Sequence, residues 1–182
     1  MKNITLKLKD GSTVEGVVFD SEDYKKLKDI FKRCLDISKE LNQLGGRKLN
    51  IPDVVSEGIY CYVFNAARTN GDAYSYDAVS LDTHEGIQIK SCSIDCDCTS
   101  FGPTSTWDKL IFADFAPNGE IDGNIDFYEI DSNDVYNLEL NKSKHETFRM
   151  QQDQGRRPRF SIKNKIIKEK KLTPFKRINI LE

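Results

Sequence analysis

The chain has 182 residues, of which 38% are hydrophobic and 31% charged, a composition that suits one soluble domain with a real core. No apolar run approaches the length of a membrane span, and the N-terminus lacks the apolar stretch of a signal peptide, so we expect a cytoplasmic protein. The net charge of −2 hides a division: residues 1–141 carry a net charge of −11 and residues 142–182 a net charge of +9.

The first predicted elements are a hairpin and a long helix. Residues 1–19 alternate apolar and polar side chains on both sides of Asp10-Gly11, a pair typical of a tight turn. From Ser21 to Leu44 apolar residues recur at intervals of three and four, with Asp20 or Ser21 as the N-cap and Gly45-Gly46 at the end. We expect both elements to be scaffold.

A second helix is predicted from Asp53 to about Ala67, with Pro52 at its first turn. Glu57 lies within it, shortly before the next element. Its carboxylate could act as a metal ligand or an acid–base group, and an exposed helix glutamate is the alternative interpretation.

The stretch from Gly71 to Ile94 predicts two strands with a tight connection near His84-Glu85. Because side chains alternate along a strand, Gln88 and Lys90 share one face of the second strand, opposite its isoleucines. A carboxylate from the first strand beside them would create a site for a small hard cation next to a positive charge. This arrangement suits phosphodiester hydrolysis.

Two aspartates compete for that position. Asp77 is favoured by reach, since a turn near His84-Glu85 places it opposite Cys92, whereas Asp72 lies on the order of 17 Å further along the strand. Asp72 is favoured by parity, because Asp77 falls on the core face if Val79 and Leu81 share that face with Ile87 and Ile89. A β-bulge would change either conclusion, and both residues stay candidates.

The cysteines offer a different metal site. Five cysteines in a chain without an export signal are expected to be reduced thiols. Cys92, Cys96 and Cys98 are closely spaced, and His84 or His145 would be the fourth ligand of a zinc ion. Structural zinc sites normally use two separated pairs, and this sequence has one cluster.

Downstream, strands are predicted at Leu110–Phe115 and Ile125–Ile130, joined through Asn118-Gly119, followed by two short helices through Val135 and from His145 to Gln152. The sheet therefore continues beyond the hairpin.

The C-terminal segment is basic and folded, since isoleucines recur among its charges. Gly155 and Pro158 keep its arginines out of a helix, and guanidinium groups on a loop suit bidentate contacts with phosphate or with the N7 and O6 edge of guanine. The candidate base readers are Arg156, Arg157 and Arg159. The candidate phosphate contacts are Lys163, Lys165 and Lys168. A solvated basic surface is the alternative.

Asp77 or Asp72 followed by Gln88-Ile89-Lys90, after a helix that carries Glu57, resembles the PD-(D/E)xK nuclease superfamily and specifically its type II restriction endonucleases. The segments SFGPTSTWDKLIFADF and QGRRPRFSI are similar to small restriction enzymes that cut the interrupted palindrome GCNGC. The similarity is best over about residues 50–165. No proline precedes either aspartate, and Gln88 replaces the usual acidic residue, which weakens metal affinity unless Glu57 contributes.

The resemblance implies an α/β (α+β) fold with a mixed central sheet flanked by helices. It also implies a Mg²⁺-dependent homodimer that cuts double-stranded DNA, one strand per subunit. The implied metal ligands are Asp77 or Asp72 and Gln88, with Lys90 as the catalytic lysine. A companion DNA methyltransferase belongs to such systems, without direct contact expected.

We expect one nuclease domain over residues 1–182. It divides into the N-terminal hairpin 1–19, a core 20–141 that contains the catalytic hairpin 71–94, and a basic DNA-binding segment 142–182. The alternatives are a repair or junction-resolving nuclease of the same superfamily, a DNA-binding module without catalysis, and a zinc protein built on the cysteines.

Overall fold

The computed structural model describes residues 1–46, 49–70, 75–94 and 97–182. The predicted N-terminal hairpin is confirmed: β1 (Lys2–Lys7) and β2 (Thr13–Val18) pair antiparallel, and Gly11 takes the positive φ of 86° that the turn requires. The predicted long helix is also confirmed as α1 (Ser21–Gln43), whose N-cap is Asp20. Its side chain accepts hydrogen bonds from the amides of Glu22 and Asp23.

The second helix is shorter than predicted. α2 (Asp53–Val63) begins after Pro52 as expected, but the chain leaves the helix near Asn65, which has a positive φ of 49°. Ala66 and Ala67, which were predicted to end the helix, instead begin the strand β3 (Ala66–Thr69). Ala66 and Ala67 are both fully buried, between β2 and the next strand, so packing within the sheet outweighs their helical propensity.

The predicted strands of the central region are present as β4 (Ala78–Ser80), β5 (Gly86–Cys92), β7 (Lys109–Asp114) and β8 (Asn124–Ile130). The short helices are α3 (Ser132–Tyr136), capped by Asp131, and α4 (Phe148–Asp153). The remaining elements are β6 (Thr99–Ser100), β9 (Glu139–Asn141), β10 (Glu146–Thr147), β11 (Arg159–Phe160), a π-helix (Lys163–Lys168) and β12 (Lys176–Asn179).

Within the described residues, eight strands form one mixed sheet in the order β1-β2-β3-β4-β5-β7-β8-β12, in which β5 and β7 are parallel and the other neighbours antiparallel. One face packs against α1 and α2, with Phe31, Ile59 and Phe127 in its core. The other face packs against Phe101, in the segment between β5 and β7, and against Phe148 and Ile162 from the C-terminal third of the chain. This mixed sheet flanked by helices confirms the predicted fold class.

None of the described helices is long and apolar enough to cross a membrane.

Candidate functional site

An open cleft of about 450 Å³ lies where α2 begins and β5 ends. α2 contributes Asp53 and Glu57, which are four residues apart and therefore on one side of the helix. The sheet contributes Asp77 and Lys90, and the segment leading into β6 forms the opposite wall. The cleft thus brings Glu57, Asp77 and Lys90 together, three of the residues singled out from the sequence.

Asp77 is fixed by the strand beside it. Its Oδ2 accepts hydrogen bonds from the Ile89 amide, at 2.7 Å, and from Nε2 of Gln88. The Gln88 side chain is buried and directs a donor at the carboxylate. In this structure Gln88 therefore orients Asp77.

The strand register differs from the predicted one. Ala78 lies opposite Ile87, so Asp77 is beside Gln88 and not opposite Cys92. The connection is wider than a tight turn near His84-Glu85, because the Ser80 hydroxyl accepts from two loop amides and the Ser80 amide donates to the Glu85 carbonyl.

The predicted grouping of side chains by face was also wrong. Val79 packs with the N-terminal hairpin cluster, whereas Ile87 and Ile89 pack towards α1 and α2. Asp77 has the parity of Val79 and lies on the side of Gln88, so the parity argument against Asp77 no longer applies. Asp72 lies outside the described residues.

The electrostatics of the cleft are those of two carboxylates sharing one buried space. Burial raises the pKa of Glu57 to about 7, helped by the negative charge of Asp77, although Arg68 opposes this with a 2.5 Å ion pair to Glu57 Oε2. Burial also raises the pKa of Asp77, and the positive charge of Lys90 opposes it. Only 12% of the Glu57 side chain is exposed, so it is not a solvated helix glutamate.

Lys90 is half-buried, with Nζ 5.6 Å from the centre of the Phe101 ring. A cation above an aromatic face is held electrostatically while its N–H groups stay free to meet a ligand. Next to it, Ser91 Oγ donates to Ser56 Oγ over 3.3 Å and joins β5 to α2. The Phe101 ring therefore holds the lysine side chain, and the neighbouring serine bond ties its strand to α2.

The donor set suits Mg²⁺. Asp77 and Glu57 offer carboxylate oxygens, and a half-turn of the Gln88 amide would offer a third oxygen. In the described part of the chain no three His, Cys, Asp or Glu groups are placed to hold a metal. Mg²⁺ needs few protein ligands, since it keeps several of its waters and binds through one or two carboxylates together with phosphates.

The cysteine cluster does not form a comparable site among these residues. Cys92 is buried in β5 with Sγ 3.7 Å from Asp114 Oδ1, whereas Cys98 is exposed, and Cys96 lies outside the described residues. Each histidine is bonded elsewhere: Nδ1 of His84 lies 2.7 Å from the Lys7 carbonyl oxygen, and Nδ1 of His145 lies 2.9 Å from Glu139.

The predicted base readers differ in their surroundings. Arg156 is bound to Glu146 at 2.7 Å. Arg157 and Arg159 are exposed and form no ion pair with the described residues. Arg159 lies on β11, which pairs with β6 through Arg159 and Ser100, and Ser100 lines the cleft. The arginine segment is therefore attached to the wall of this cleft.

The predicted phosphate contacts also differ in how exposed they are. Lys165 and Lys168 are exposed, and Lys165 forms an i,i+4 pair with Glu169. Lys163 is not on the surface, contrary to the expectation for a DNA contact: it is 6% exposed, pairs with Asp114 at 2.7 Å and donates to the Ala116 carbonyl. Its ammonium group anchors the π-helix to β7.

Sequence reasoning missed three charged residues around the cleft. Asp53 was detectable, because it precedes Glu57 by four residues on one helix. Arg68 was not, since the strand that carries it was not predicted and the first half of that strand was assigned to the helix. Asp97 gave no signal, because its bonding partners are distant in the sequence.

Comparison with known proteins gives two matches. A family model described as Bsp6I restriction endonuclease matches residues 19–169, which include the described candidate site residues. The chain is 32% identical over 149 residues to the type II restriction enzyme Bsp6I of Bacillus sp. (strain RFL6), an alignment that covers 78% of this chain and 82% of that protein. No solved structure matches the chain.

Proposed function

Because this chain belongs to the Bsp6I restriction endonuclease family, we propose that it cleaves double-stranded DNA at GCNGC as a Mg²⁺-dependent homodimer. It is a type II restriction endonuclease, a hydrolase of phosphodiester bonds that acts at a specific DNA sequence. The target sequence, the metal and the subunit arrangement are the proposed parts. The observation that supports a hydrolytic centre best is the meeting of Glu57, Asp77 and Lys90 in one cleft.

Asp77 and Glu57 are the proposed metal ligands, and Gln88 holds Asp77 in place. The negative charge of Asp77 raises the proton affinity of Glu57, and a cation bound between them would relieve that repulsion. Bound there, Mg²⁺ supplies the neutralisation of charge that develops on the phosphoryl oxygens. Asp72 remains the alternative ligand on sequence grounds.

Lys90 is the proposed catalytic lysine. Its ammonium group, above the Phe101 ring, is available to donate hydrogen bonds to the scissile phosphate and to stabilise negative charge in the transition state. A half-buried position strengthens this effect, because less water screens the charge.

Arg157 and Arg159 are the proposed base readers, since they are exposed and next to the cleft wall. Lys165 and Lys168 are proposed to contact phosphates, which adds affinity without sequence preference. Arg156, paired with Glu146, is the third arginine of this surface.

A palindromic target suggests the homodimer, because a two-fold symmetric site matches a two-fold symmetric protein. We also propose a cytoplasmic location and a companion methyltransferase that protects the host's own sites without contacting this enzyme.

The decisive experiment digests plasmid DNA with the purified protein, with and without Mg²⁺, alongside Lys90→Ala. We expect discrete fragments that require the metal, end at GCNGC and disappear with Lys90→Ala. Lys39→Ala, at an exposed position of α1, is the matched control and should cut normally. Binding without cleavage in any divalent metal would favour the DNA-binding module, and selective cleavage of branched DNA would favour a junction-resolving enzyme.

A further inference from the structure

Asp97 is a buried carboxylate that collects hydrogen bonds from two separate parts of the chain. It is 5% exposed and lies in the segment that lines the cleft. Its oxygens accept from the Thr99 hydroxyl at 2.7 Å, the Ser161 hydroxyl at 2.6 Å and the amides of Ile162 and Lys163 at 2.9 and 3.1 Å. The carboxylate therefore binds the wall of the cleft to the start of the π-helix.

The arginine-bearing residues 156–160 lie immediately before Ser161. Two further contacts hold them against the same wall: Arg159 pairs with Ser100, and the Phe101 amide donates to the Pro158 carbonyl over 3.0 Å. Phe101 in turn supports Lys90, whose Nζ lies above its ring. One short path of contacts thus connects the proposed base readers with the proposed catalytic lysine.

A second buried acid, Asp114, fixes the start of the π-helix, which follows the arginine segment. Lys163 pairs with Asp114 at the end of β7, the strand parallel to β5. The residues that directly follow the arginine segment are therefore held by two buried acids: Asp97 accepts from Ser161 and from the amides of Ile162 and Lys163, and Asp114 pairs with the Lys163 side chain.

We propose that Asp97 is a positioning residue that holds residues 156–160 in register with the catalytic cleft and so couples base recognition to DNA cleavage. The inference rests on the proposed function, since it needs a DNA sequence to recognise. Its physical basis is geometric. A bidentate contact with a guanine edge and in-line attack on a phosphate each tolerate displacements well under about 1 Å, so both need a rigid common frame.

Asparagine in place of Asp97 tests the idea with little change in volume. It replaces one acceptor oxygen by an NH₂ group, which would face the amide and hydroxyl donors that now bind the carboxylate. Ser161→Ala is the milder variant, because it removes one hydrogen bond to Asp97, together with the one that the Ser161 hydroxyl accepts from the Asn164 amide, and leaves both backbone contacts of Asp97. Asp23→Asn is the matched control: Asp23 is 6% exposed, lies on α1 and is distant in the fold from the arginine segment.

The measurement is the single-turnover cleavage rate, at saturating enzyme with Mg²⁺, on a GCNGC duplex and on a duplex with one changed base pair. Anisotropy with Ca²⁺ in place of Mg²⁺ gives the affinity for both duplexes. We expect Asp97→Asn to reduce discrimination between the duplexes by at least about tenfold, the value of one misplaced base contact, while affinity for the changed duplex stays near wild type. Ser161→Ala should shift the ratio in the same direction, and Asp23→Asn should not change it.

The inference is overturned if Asp97→Asn keeps wild-type discrimination, or if it slows both duplexes by the same factor, as a general loss of folded protein would. Should Asp97→Asn fail to fold, an unchanged ratio in Ser161→Ala would overturn it instead. If the wild-type protein cuts neither duplex, the proposed function itself fails, and this inference fails with it.

Discussion

Arg68 Nε lies 2.5 Å from Glu57 Oε2, so one of the two carboxylates in the cleft already has a positively charged partner behind it. This ion pair joins α2 to β3, and β3 in turn pairs with β4, the strand that begins directly after Asp77. Burial and the charge of Asp77 raise the proton affinity of Glu57, and Arg68 lowers it. Its guanidinium and an incoming cation act on the same negative charge.

Removing that counter-charge should shift the pH dependence of metal binding. In Arg68→Met the pKa of Glu57 should rise above its value of about 7, because burial and Asp77 are then opposed by less positive charge. Mn²⁺ affinity is measured by calorimetric titration at a series of pH values between about pH 5 and about pH 9. The midpoint of its rise with pH should lie at higher pH in the variant than in the wild type. Arg33→Met, at an exposed position of α1, should leave the midpoint in place. A midpoint that does not move would show that Arg68 does not control Glu57.

Glu57 should also make stability depend on pH. Its folded pKa of about 7 exceeds the ordinary value of 4.5, so the folded state binds the proton more tightly and the free energy of unfolding falls as pH rises between these values. Glu57→Gln removes this loss. The free energy of unfolding of the variant, relative to that of the wild type, should therefore increase by about 2 to 3 kcal/mol from pH 5 to pH 8. Urea unfolding at the two pH values measures it, and an equal difference at both would contradict the assigned pKa.

Local pattern was sufficient to predict the N-terminal hairpin, α1, β7 and β8. These elements are long or have strong end signals, such as the Asp20 cap and the turn at Gly11. The pair Gln88 and Lys90 was likewise predictable as neighbours on one strand face. What failed depended on contacts between distant segments.

Three particular failures share this cause. Ala66 and Ala67 fit a helix or a strand equally well, and burial within the sheet decided for the strand. The position of Asp77 is fixed by the hydrogen bond that its carboxylate accepts from the Ile89 amide, 12 residues further along the chain, which periodicity does not encode. Lys163 was expected at the surface because its partner, Asp114, lies on β7 and is distant in the sequence.

Gln88→Glu would restore the acidic residue that the resemblance leads one to expect. In the metal-free protein the new carboxylate would face Asp77 across the sheet without the present hydrogen bond, so we expect a lower melting temperature. With Mn²⁺ the order should reverse, and the variant should bind the ion more tightly than wild type. Thermal unfolding with and without the metal measures both effects. Weaker metal binding would indicate that position 88 only orients Asp77.

The three arginines should contribute unequally to DNA binding. Arg157→Ala and Arg159→Ala should each cost about 1 to 3 kcal/mol of discrimination at a guanine if they read bases. Arg156→Ala should have a smaller effect, because part of its charge is already used by Glu146. Competition between GCNGC duplexes and duplexes with altered base pairs distinguishes base reading from phosphate contact. A uniform loss on all sequences would assign an arginine to phosphate.

Lys163 and Lys165 should respond in opposite ways to the same substitution. Lys163→Met leaves the buried Asp114 without its ammonium partner and should lower the free energy of unfolding by about 3 to 5 kcal/mol. Lys165→Met should leave stability nearly unchanged and reduce the slope of log affinity against log salt by about 1, the contribution of one phosphate contact. Denaturant unfolding and salt titration of DNA binding test the two lysines together. A stable Lys163→Met protein with a reduced salt slope would return Lys163 to the DNA surface.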